Sequence, residues 1–139
     1  MAEPQTRASA KCKSICPHFV VPDVVVSAEY YRDVLGFKIM GYWFDPPVFA
    51  IVARDNVEIQ LGKSDGGAPP SPNSVRREES LDAYIWVDDV DALCAELQER
   101  RAKILEPPTL RVYKCYEMMI EDNCGFRLCF SMDTSSLAS

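Results

Sequence analysis

Apolar and polar positions follow two rhythms along this chain, and the order of the rhythms repeats. Ile15 to Val21 is a short apolar run stopped at Pro22-Asp23, which predicts a buried strand ended by a residue with no N–H to donate. Ala28, Tyr31, Val34 and Leu35 then recur at helical spacing, with Ser27 as the predicted cap and Gly36 as the left-handed exit. Phe37 to Phe44, Val48 to Arg54 and Val57 to Leu61 read as three strands, joined by Asp45-Pro46-Pro47 and by a tight Asp55-Asn56 turn. From Asp82 the same order returns. A strand runs to Val87, and a helix passes through Leu93, Ala95 and Leu97 with Glu96 and Arg100 at i,i+4 spacing. A short strand, Lys103 to Leu105, is broken at Pro107-Pro108. Tyr113 to Glu121 and Phe126 to Phe130 complete the unit across Asp122-Asn123-Cys124-Gly125.

Each βαβββ unit is too small to bury its own sheet face, so the two must pack together. The predicted fold is α+β: two βαβββ modules paired into a cupped, incompletely closed eight-stranded mixed sheet with helices outside. Module one covers 15–63 and module two 81–132, within a single domain over 15–132. Residues 1–14, polar and without periodicity, form a predicted disordered tail, and 133–139 a second tail. Between the modules, 64–80 is rich in Gly, Pro and Ser and reads as a flexible linker that is either disordered or a lid over the cup.

Composition narrows the function. The chain has 139 residues, 47% of them apolar, enough for one core. Its net charge is -6 and no basic cluster exceeds Arg76-Arg77 or Arg100-Arg101, which argues against a nucleic-acid partner. No apolar run is long enough for a membrane helix, and the first residues lack the apolar centre of a signal peptide, so a cytoplasmic location without membrane partners is expected. The six cysteines include no CxxC pair and read as free thiols.

Strand alternation assigns faces. His18, the single histidine, shares a face with Cys16 and points into the cup, either as a general base or as a hydrogen-bonded wall residue. Asp82, Tyr84 and Trp86 share the inward face of the second unit, and an aromatic pair beside a carboxylate suits a flat or cationic organic ligand. Trp43 and Phe49 line the same cup. Glu58 goes with Gln60, and Arg127 with Cys129.

These residues resemble the vicinal-oxygen-chelate superfamily of glyoxalases, bleomycin-resistance proteins and extradiol dioxygenases. The matching stretches are Phe19 to Val24 with Tyr30-Tyr31-Arg32-Asp33-Val34-Leu35-Gly36-Phe37, Ile85 to Leu93, and Tyr116-Glu117 through Asp122 to Leu128. The resemblance places the family's four metal-ligand positions at Cys16, Gln60, Asp82 and Cys129, where the usual set is His and Glu. It also places Glu117, in its Tyr-x-x-Tyr-Glu context, near the cup as a general base or hydrogen-bond acceptor, and it implies a homodimer. The departure from the usual ligand set favours a small-molecule-binding protein of the bleomycin-resistance type with no cofactor. Two alternatives stay open: a lyase, isomerase or dioxygenase with a divalent metal on a non-standard set, or a catalytically silent interaction module.

Overall fold

The computed structural model describes residues 9–136. Residues 1–8 of the expected first tail and 137–139 of the second lie outside the described residues.

Module one consists of β1 (His18–Val21), α1 (Val24–Asp33), β2 (Lys38–Trp43), β3 (Phe49–Arg54) and β4 (Val57–Lys63). Module two repeats it as β5 (Ala83–Trp86), α2 (Val90–Glu99), β6 (Lys103–Leu110), β7 (Cys115–Glu121) and β8 (Arg127–Asp133). The strands form two four-stranded sheets, ordered β1-β4-β3-β2 and β5-β8-β7-β6. In each sheet the first strand joins the last in parallel and every other pairing is antiparallel, so both are mixed.

Both helices start at an aspartate cap. Asp23 accepts the N–H groups of Val25 and Val26, and Asp89 accepts that of Ala92, so each aspartate satisfies donors a first turn leaves free. Ser27, the expected cap, is instead buried inside α1, because Asp23 already supplies the side-chain oxygen at the correct position. The second correction is β6, which runs through Pro107-Pro108 rather than ending there. It is the edge strand, where a missing N–H costs no ladder bond, and its register slips on either side of Glu106. Tyr113, expected in β7, belongs to the turn before it, where Arg111 N–H bonds Cys115 O and Lys114 takes a positive φ of 63°.

One core spans both modules, with Tyr31, Leu35, Ile59 and Leu61 from the first and Leu97, Met118, Ile120 and Leu128 from the second fully buried. Burial of each contributes about 1.5–3 kcal/mol. The modules are joined crosswise: the hairpin between the last two strands of each reaches the helix of the other. At one junction Tyr31 donates to Asp122 Oδ2 at 2.6 Å, and Phe126 stacks flat on Phe19 at 4.4 Å. At the other, Arg54 makes a two-pronged ion pair with Glu96 at 2.6 and 2.9 Å and also holds Leu35 O. Gly36, at φ +75°, sits under this pair, and a Cβ there would stand 2.6 Å from the Arg54 guanidinium.

The segment 64–80 is hydrogen-bonded within itself, to the start of module two and to β8. Ser64 Oγ bonds Ala68 O, Asn73 bonds both Asp82 and Leu81 O, and Arg127 bonds Glu78 O.

Candidate functional site

The core-facing sides of the sheets are filled, and their opposite faces are the open ones. On module one, His18 and Gln60 are register partners across the parallel β1–β4 pair. His18 Nδ1 lies 3.1 Å from Gln60 Oε1, and the Nε2 side of the ring lies over Gly62 of β4. Its ring packs near Phe49 at 6.0 Å, and Trp43 meets Phe49 edge-on at 5.5 Å. Gly62 makes room for this arrangement, since a Cβ would stand 2.6 Å from His18 Nε2. The structure thus brings His18, Gln60, Phe49 and Trp43 together on one face, and Trp43 remains 43% exposed.

On module two, Tyr84 and Trp86 face out from β5 with rings 5.2 Å apart. Below them Glu117 is buried at 5% exposure, and its carboxylate is the hub of the face. Tyr84 donates to Oε2 at 2.5 Å and lies 2.8 Å from Ser131 Oγ, while Tyr113 and Arg111 donate to Oε1. Burial pushes the Glu117 carboxyl up, but hydrogen bonds from Tyr113, Tyr84, Cys129 and Ser131 together hold it below its ordinary value. The partners shift the other way: the bond to Glu117, followed by burial, raises Tyr113 to about 12, and burial beside Glu117 raises the Cys129 thiol to about 12. Sequence reasoning missed Tyr113 and Arg111 as site residues. Their signal was the spacing that sets both in the turn leading back to Glu117.

A cavity of about 660 Å³ opens beside this hub, lined by Glu78, Glu79, Glu106 and Glu117 against Arg111 and Arg127. A second, of about 650 Å³, is walled by His18 and Val20 on one side and by Asp65, Ala68, Pro69 and Asn73 of the linker on the other. Asp82 also lines it, just before β5. Both Asp82 oxygens are committed, one to Asn73 N–H and one to Arg127 N–H, each at 2.8 Å. Cys16 lies at a separate cavity with Met40 and Glu58, its thiol raised by burial and by the Glu58 charge.

These placements bear on a divalent metal at Cys16, Gln60, Asp82 and Cys129. Both Asp82 oxygens are already committed to backbone N–H groups, and among the described residues no three His, Cys, Asp or Glu side chains converge as a cation requires. The donor set within one chain does not fit the group. The cysteines are free thiols throughout the described residues, and no described helix is long and apolar enough to cross a membrane.

The chain is thus a duplicated α+β scaffold with two open, aromatic-bearing sheet faces. The profile of the Glyoxalase/Bleomycin resistance protein/Dioxygenase superfamily matches residues 15–130, and this chain belongs to that superfamily. Solved structures with the same fold include a glyoxalase-related enzyme from Clostridium phytofermentans (14% identity, TM-score 0.71, 91% of this chain and 99% of that one). A bleomycin resistance determinant encoded on transposon Tn5 is also similar (16%, 0.69, 88% and 98%). A third is the bleomycin-binding protein of Streptomyces verticillus in complex with copper(II)-bleomycin (19%, 0.65, 90% and 98%). No curated protein matches by sequence.

Proposed function

We propose that this protein binds a flat, cationic or neutral organic molecule on its open sheet faces without a metal, and that two copies pair to bring the module-one face of one chain against the module-two face of the other. The observation that carries this reading is the hub around Glu117. Four carboxylates against two guanidiniums leave its cavity negative; Tyr113 lines it, Tyr84 bonds Glu117, and the 60%-exposed Trp86 stands beside Tyr84. The bound-up Glu117 is a poor proton acceptor, so we assign it to charge and to orienting the two tyrosines rather than to base catalysis. His18, exposed on β1 beside Gln60, acts as a ligand contact on the opposing face.

Exposed Trp43, Phe44 and Val48 in module one and Leu110 and Tyr113 in module two support pairing of the faces, since exposed large apolar groups favour a partner. The kinship to bleomycin-binding structures supports a bulky planar ligand. The test is a thermal-shift screen of chelator-treated protein against planar aromatic cations and vicinal-oxygen compounds, with sedimentation to report the dimer. A binder at a hundredfold its Kd adds about 2.7 kcal/mol, and Trp43→Ala or Glu117→Gln should erase the shift. Stoichiometric metal retained through chelation, or a shift seen only after metal is restored, would overturn the metal-free reading.

A further inference from the structure

The two crosswise junctions are equivalent by the internal repeat, yet they are not packed alike. The strand registers pair His18 with Gln60 and Tyr84 with Cys129, so Val57 on the first hairpin corresponds to Phe126 on the second, and Ile85 on β5 corresponds to Phe19 on β1. The first hairpin also turns in two residues, Asp55-Asn56 between Arg54 and Val57, whereas the second spends three between Asp122 and Phe126. Where Phe126 lies flat on Phe19, the other junction has only Val57 opposite Ile85. The smaller pair leaves a cleft of about 300 Å³, lined by Phe37, Val57, Ile85, Leu93 and Phe130, with Trp86 at its border.

The mouth has its own chemistry. Asp55 and Asp88 are exposed and line the cleft, and among the described residues no cation pairs with either. Arg54, the one basic lining residue, is already neutralised by Glu96. An apolar floor that accepts one ring, two free carboxylates at the rim and an indole beside them match a small aromatic amine. The ring would replace the missing Phe, and the ammonium would meet the aspartates and the Trp86 face.

We infer that this cleft is a second ligand site, distinct from the sheet faces, for a primary arylalkylamine about the size of 2-phenylethylamine. The probe is 2-phenylethylamine itself, with 2-phenylethanol as its uncharged counterpart. In a Trp43→Phe background Trp86 is the only tryptophan, and because it also borders the module-two face, Glu117→Gln is added so that its fluorescence reports the cleft. The amine should give a saturable change, bind at least tenfold more tightly than the alcohol, and keep its affinity when His18→Ala is added. Val57→Phe, which installs the ring the other junction already has, should abolish binding and raise the Tm. Asp55→Asn with Asp88→Asn should remove the preference for the amine over the alcohol, which keeps the test intact if the phenylalanine variant does not fold. No saturable change, equal affinity for amine and alcohol, or binding that Val57→Phe leaves intact would overturn the proposal. Glu117→Gln disables the hub of the sheet-face site and should leave the amine's affinity for the cleft unchanged, so failure of one site is read separately from failure of the other.

Discussion

Replacing Tyr31 with phenylalanine tests the crosswise junction at its most buried point. Tyr31 is 0% exposed and its hydroxyl donates to Asp122 at 2.6 Å, while the other Asp122 oxygen accepts Cys124 N–H and Phe126 N–H at 2.8 and 2.9 Å. Burial raises the Asp122 carboxyl to about 6 despite these bonds, so at pH 7 it is mostly charged. A hydrogen bond to a buried charge contributes about 1.5–3 kcal/mol, against about 1 kcal/mol to a neutral group. Tyr31→Phe keeps the ring contacts with Phe37 and Tyr30 and removes only the donor. The expected loss is therefore about 2 kcal/mol at pH 7, falling to about 1 kcal/mol at pH 5, where Asp122 is protonated. For 139 residues at ~2.1 cal/mol/K each, the unfolding entropy is about 0.3 kcal/mol/K, so the loss at pH 7 lowers Tm by about 7 °C. Urea unfolding followed by circular dichroism at both pH values measures it. A loss under about 0.5 kcal/mol at pH 7, or one equal at both pH values, would refute the reasoning.

Three further outcomes follow from the same contacts. Because folding raises the Asp122 pKa from 3.8 to about 6, its contribution is fully present below pH 3.8 and is lost as pH rises through 6; Asp122→Asn should flatten that part of the stability–pH curve in urea titrations. Gly62→Ala should push the His18 ring off Gln60 and weaken sheet-face ligands about tenfold by calorimetry, at a stability cost under ~1.5 kcal/mol, because the group that must yield is the end of a side chain. Glu96→Gln should cost only about 1 kcal/mol and less in high salt, since Arg54 and Glu96 are partly solvated; a salt-independent loss in denaturant titrations would count against a screened ion pair.

The legible parts of this structure are those set by chain-local chemistry. Helical spacing through Tyr31 and Leu35 announces the first helix, Asp55-Asn56 closes a hairpin, and period-two alternation sets Tyr84 with Trp86 on the side of β5 opposite buried Ile85. What stayed hidden depends on neighbours distant in sequence. Alternation gives Asp82 a side of the strand, yet its oxygens belong to the linker and to β8, a commitment no spacing rule contains. Pro107-Pro108 reads as a stop until β6 is known to be an edge strand. Glu117 was singled out, but its grip by Tyr113 and Arg111 depends on a turn that folds those side chains back over β7.

The crosswise anchoring constrains how such a chain diverges. Each hairpin tip is seated on the helix of the other half, so a lengthened turn in one half is tolerated only where the opposite helix offers the matching residue, as Ser27 does by accepting Asn123 at 3.2 Å. The two halves therefore inherit change as a pair. Cut within 64–80, they should behave as complementary fragments that regain structure when mixed and remain unfolded apart, since each holds half of both seams.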